Sequence, residues 1–168
     1  MDKYKFRSYN KNSPSLYRRE KNKLNVTLPK SIYIEHIGSS AVPGLGGKGL
    51  IDILMGASKS KIKKIKIILK KAGYEFRPNT GNKNRLFFRR DYTSKGKTRR
   101  VHIHLVPYKS KEWLEPIAVR DYLRNNKEEI RKYEEVKRKA VKLAKGEGEK
   151  YREAKDKYLK TLTKKALK

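Results

Sequence analysis

The chain contains no cysteine. Disulfides, zinc–thiolate sites and thiol nucleophiles are therefore excluded, and a cytoplasmic setting is the simplest expectation. No apolar run approaches the roughly 18–20 residues of a bilayer-spanning helix, so no membrane partner is expected. The opening MDKYKFRSYNKN has no apolar segment of the secretory kind. Histidine is scarce as well, with three in 168 residues. Acid is scarce against base: 17 Asp and Glu face 46 Lys and Arg, a formal net charge of +29. Such an excess favours a polyanionic partner through phosphate neutralisation, although lysine-rich surface decoration gives the same total. The acid is also unevenly placed. Residues 126–168 carry 16 bases and 8 acids, whereas residues 1–125 carry 30 and 9.

The apolar residues that are present recur periodically, which points to a folded chain of one domain over 1–168. Residues 1–13 read as a poorly ordered lead-in. Ser13-Pro14 reads as a cap and first helical turn, opening a helix that runs to about Thr27 and is stopped by Pro29. SIYIEHIG and GLIDILMG read as strands. From Ser58, taken as a cap, to Ala72 the isoleucines recur at helical spacing, and Gly73 ends that helix. YEF, RLFFRRDY and RRVHIHLVPY are strand-like, the last two joined by a hairpin at TSKGK. Helices follow over about 111–125, 127–145 and 148–167, which makes 110–168 a helical C-terminal segment. The expected class is α/β in the α+β sense, a mixed sheet flanked by helices.

Four features bear on chemistry. Gly38-Ser39-Ser40 follows a strand and offers backbone N–H groups and hydroxyls to a phosphate, or is a plain turn. Asp52 stands among Leu50, Ile51, Ile53 and Leu54, where an unpaired carboxylate is costly to bury; it faces a cleft or metal, or it ties down loop N–H groups. His102 and His104 lie two apart on a strand and so share a face, a pair able to ligate a divalent metal or move protons. A surface pair is the alternative. Arg89 and Arg90, with Arg99 and Arg100, supply guanidinium forks for phosphate or form a solvated basic hairpin.

These residues occur in a pattern that resembles the GrpB family, assigned to the nucleotidyltransferase superfamily that includes DNA polymerase beta. The resemblance rests on EHIGSSAVPGL, on Lys48 followed by IDIL, and on GYEFRP, RLFFRRD, HIHLV and EW…RDYL. It implies a nucleotidyltransferase-like mixed sheet and transfer of a nucleotidyl group from a nucleoside triphosphate to a hydroxyl acceptor, RNA among the candidates. A catalytically inactive nucleotide- or RNA-binding module of the same fold is the alternative. The resemblance implies Gly38 and Ser39 as the phosphate-loop pair, with Ser40, Lys48, Arg89 and Arg90 as further phosphate contacts. It implies Asp52 as the first carboxylate for Mg2+ or Mn2+, with His102 and His104 as catalytic residues and further ligands. Glu35 is a further ligand candidate and His36 a candidate base. Leu54 departs from the superfamily pattern, because it stands where a second carboxylate is expected.

Overall fold

The computed structural model describes residues 5–168, so the first four residues of the expected lead-in lie outside it. The elements run α1 (Ser13–Thr27), β1 (Tyr33–Ile37), β2 (Ile51–Ala57), α2 (Ile62–Lys71), β3 (Glu75–Phe76), β4 (Leu86–Ser94), β5 (Lys97–Pro107), α3 (Lys111–Arg124), α4 (Lys127–Ala144) and α5 (Gly148–Ala166). Asn12, not Ser13, occupies the N-cap position of α1 and makes no side-chain cap; Ser13 is the buried first residue of the helix, ahead of Pro14. Ser58 likewise makes no side-chain cap to α2. A short 3₁₀ turn, Lys59–Lys61, leads into that helix, and the Ser58 hydroxyl pairs with Ser60 at 3.2 Å. Gly73, with φ of +87°, leaves α2 through the left-handed region as expected.

The strands form one sheet in the order β1-β2-β5-β4-β3. β2 and β5 run parallel, and the other neighbours pair antiparallel. The β4–β5 hairpin closes through Lys95 and Gly96, both at positive φ, as a two-residue turn between right-twisted strands requires.

Strand alternation then divides the sheet into two chemically different faces. Ile51, Ile53 and Met55 of β2 and Val101, Ile103 and Leu105 of β5 point to one side, into a core with Leu24 of α1 and Ile65 and Leu69 of α2. On the other side, Leu54 and Val106 pack with Ile37 beneath Trp113 of α3. Gly56 permits that approach, since a Cβ there would lie 2.8 Å from the Trp113 ring. Toward the start of β2 the same side bears Asp52, beside His102 in register on β5. Helices α3–α5 build their own core with Leu123, Tyr133 and Leu162, and the loop after β1 inserts Val42 and Leu45 into it. That insertion fixes the loop between the sheet and the helices.

Candidate active site

The turn after β1 begins at Gly38, whose φ of +72° suits glycine. A second constraint acts at the same residue: a Cβ there would fall 2.6 Å from Asp52 Oδ2. Gly38 thus brings the turn's backbone against the carboxylate. Ser39–Ala41 follow as a 3₁₀ turn. Ser39 is half-buried, and its hydroxyl lies against Gly47. The Ser40 hydroxyl is turned inward to His36 Nε2 at 3.0 Å.

Asp52 Oδ1 receives two imidazoles, His102 Nδ1 at 3.3 Å and His104 Nε2 at 3.5 Å. Phe87 on β4 sets its ring edge-on to both, with centroids 4.8 and 5.2 Å apart, and so limits their rotation. Burial pushes the Asp52 carboxyl up, but hydrogen bonds and charge attraction from His102 and His104 outweigh it, and the group is held well below the usual carboxylate range. Burial pushes His104 down against the pull of Asp52. With Nε2 directed at the carboxylate, its Nδ1 is left as an acceptor, buried and without a partner.

Helices α3 and α4 hold the glycine-rich loop through side chains that reach its backbone. Arg120 donates to His36 O at 2.9 Å and Arg124 to Ala41 O at 2.9 Å. Glu134 accepts from Gly46 N at 2.8 Å, and Lys137 Nζ donates to Gly46 O at 3.0 Å. Each charged bond of this kind contributes on the order of 1.5–3 kcal/mol. Lys137 is buried, rests on the Tyr133 ring at 4.4 Å, and makes no ion pair among the described residues. Burial, reinforced by Lys155 and Lys48, lowers its pKa to about 7, while Asp52 and Glu134 pull the other way. A Cβ on Gly47 would meet both Ser39 and the Lys137 ammonium, so Lys137 lies beside the turn.

The structure thus brings Gly38, Ser39, Asp52, His102 and His104 to one place. Arg89 lies on the same face, opposite His102 in register, and is engaged by Glu75 at 3.6 Å. Lys48 lies over the Tyr151 ring at 4.8 Å. Other candidates are placed elsewhere. Arg90 points to the opposite face, where it donates to Ala72 O at the end of α2. His36 also faces that side, stacked on Tyr17 with centroids 4.4 Å apart, and burial lowers its pKa to about 4. Glu35 is bound by Arg120 at 2.6 Å. The expected second-carboxylate position, Leu54, is fully buried under Trp113. Lys137, Arg120 and Arg124 were not among the expected site residues; Arg120 lies in the RDYL motif that carries the resemblance, and Lys137 on the apolar stripe of α4, between Tyr133 and Ala140.

The donor set limits what metal the site can hold. No group of three or more His, Asp or Glu side chains is arranged to bind an ion among the described residues. One carboxylate with Oδ2 toward the Gly38 turn fits at most a single ion that shares its coordination with a bound ligand's oxygens, since Mg2+ is commonly held by one or two carboxylates plus substrate oxygens. A pair of ions bridged by carboxylates does not fit, because Leu54 offers no ligand.

A mixed sheet with the glycine turn against an aspartate defines a nucleotidyltransferase-like fold. It superposes on a cytoplasmic RNA terminal U-transferase with a TM-score of 0.54 at 12% identity, over 82% of this chain and 43% of that one. Within that class the chain belongs to the GrpB family: the family model described as GrpB protein matches residues 4–165. The crystal structure of the conserved protein GrpB from Enterococcus faecalis superposes with a TM-score of 0.82 at 27% identity, covering 97% of each chain. A UPF0157 protein of Pseudomonas aeruginosa is 32% identical over 135 residues, which are 80% of this chain but 55% of that protein's length. The glutamate-rich protein GrpB of Alkalihalophilus pseudofirmus is 29% identical, over 78% of this chain and 77% of its own.

Proposed function

We propose that the protein transfers a nucleotidyl group from a nucleoside triphosphate to a hydroxyl acceptor. The observation that carries this reading is the convergence of Asp52, His102 and His104 beneath the Gly38-Ser39 turn, with Lys137 alongside. The turn's N–H groups and the Ser39 hydroxyl receive the phosphates, and Lys137 gains its charge when they arrive. Asp52, oriented by its two imidazoles, would hold Mg2+ or Mn2+ carried by the triphosphate, and such an ion would offset the charge that develops on the phosphate oxygens. The acceptor oxygen bonds to the α-phosphorus as the bond to the β-phosphate oxygen breaks, and pyrophosphate leaves. The acceptor's proton passes to an imidazole of the His102/His104 pair. RNA is the acceptor that the basic charge and the named U-transferase neighbour favour.

One observation favours a second reading, a nucleotide- or RNA-binding module without transfer: Leu54 is a core residue where a ligand is expected. Each labelled triphosphate is to be incubated with the protein, Mg2+ or Mn2+, and cellular RNA. Labelled RNA that disappears with Asp52→Asn supports transfer. Triphosphate binding without labelling under any of these conditions overturns it in favour of the module.

A further inference from the structure

The side of the sheet away from Asp52 carries its own concentration of positive charge. An open groove of about 410 Å³ lies between α1 and α2, with Lys23, Lys71 and Arg90 around an apolar floor that includes Leu24 and Ile68. Lys97, Arg99 and Tyr92 line a second groove, of about 610 Å³, along the β4–β5 hairpin. The two meet at Tyr92. Its ring carries Lys23 at 4.4 Å and Arg90 at 4.7 Å from the first groove, and Arg99 at 4.6 Å from the second.

Two carboxylates lie close by, and both are engaged. Glu20 is fully buried and accepts from the hydroxyls of Tyr74 and, at 2.6 Å, Tyr92. Its other oxygen is 3.7 Å from Lys23. Asp91 is held by Arg100 through two contacts of 2.8 and 2.9 Å. Lys71, Arg90, Lys97 and Arg99 make no ion pair among the described residues. Arg99 also keeps a buried Nε without an acceptor, a donor of the kind that folded proteins satisfy. Of these, Arg90 and Arg99 are held on the Tyr92 ring instead of by carboxylates. Part of their side-chain entropy is thus already lost, and their charge remains available.

We propose that this track binds single-stranded nucleic acid. Phosphates lie along Lys71, Lys23, Arg90, Arg99 and Lys97, and unpaired bases stack on the face of the Arg99 guanidinium that is turned away from Tyr92. Cationic grooves interleaved with stacking groups suit a strand whose bases are free, and a duplex hides those bases. The binding does not depend on nucleotidyl transfer, and its test contains no triphosphate.

The probe is a fluorescein-labelled 12-nucleotide single strand, as RNA and as DNA of the same sequence, titrated with the full-length protein from 50 to 300 mM salt. The K71E/K97E/R99E variant is expected to bind at least tenfold more weakly. Its salt slope should be shallower by about 2, as three lost phosphate contacts on a single strand require. A matched variant, K139E/K142E/K160E, changes the net charge equally on exposed positions of α4 and α5 and is expected to lose less than threefold. The ratio of RNA to DNA affinity identifies which strand is preferred. Equal losses in the two variants, or tighter binding of a 12-base-pair duplex, overturn the proposal. So does binding to phosphatidylserine vesicles with none to either oligonucleotide. Circular dichroism melts confirm that each variant is folded.

Discussion

The two faces of one sheet come from the same strands and differ in almost everything else. On the α1–α2 face, Ile53, Ile103 and Phe88 are fully buried and contribute by excluding water. On the other face, Asp52, His102 and His104 keep roughly a fifth of their side chains exposed, at 22, 17 and 16%. Their positions are held by hydrogen bonds and by the Phe87 ring. Along β2 the first face is apolar throughout, whereas the second changes within three residues from the buried Leu54 cluster under Trp113 to the charged group at Asp52.

Breaking that division should be most costly at Leu54. Leu54→Asp restores the superfamily carboxylate in a fully buried position without a partner; a loss above about 4 kcal/mol is expected, read as partial or complete unfolding in urea. Ile53→Ala, on the other side of the same strand, should lower stability by about 2–5 kcal/mol through the cavity it leaves. Asp52→Asn loses the ionised carboxylate that His102 and His104 favour in the folded state, so it should lower stability by about 1–3 kcal/mol in urea and reduce labelled-nucleotide transfer by about 10²–10³-fold, the scale on which preorganised charge acts in active sites.

Lys137→Met sharpens the comparison at the boundary between sheet and helices. The folded pKa of Lys137 is about 7 against an ordinary 10.5, so the unfolded chain binds more protons between those values. Wild-type stability therefore rises with pH across that window, and the cost of the buried ammonium is fully present below about pH 7. The methionine variant lacks this contribution. The stability difference between the two proteins should shift by roughly 2 kcal/mol in favour of wild type from pH 7 to pH 9, measured by urea denaturation.

Most of the fold was legible because its signals are local. Isoleucines at helical spacing marked α2, Gly73 marked its end, and alternation placed His102 and His104 on one face, away from Val101 and Ile103. The site was legible in part. Asp52 announced itself as a carboxylate in an apolar run, and the glycine turn by its composition. His36 and Arg90 resembled site residues equally well, because strand alternation says which residues share a face but not which face looks into the cleft. Their neighbours Tyr17 and Ala72 belong to elements packed behind the sheet, and nothing local to His36 or Arg90 encodes them. Lys137 was hard to read for a related reason: its acceptor, Gly46, is distant in the chain, and its one local sign of burial, a place on the apolar stripe of α4, does not stand out in a lysine-rich helix.

The sequence alone thus determined the order and kind of the elements, the apolar side of each strand and helix, the excess of base over acid, and the residue types available for chemistry. These follow from short-range periodicity and from backbone preferences at Gly and Pro. Only the tertiary structure decided that β2 and β5 run parallel in the register that sets Asp52 beside His102. It also decided that Leu54 is spent on the core under Trp113, and that Arg120, Arg124, Glu134 and Lys137 fasten the glycine-rich loop. Each of those outcomes depends on contacts between residues far apart in the chain, where packing and burial settle which of several locally acceptable arrangements survives.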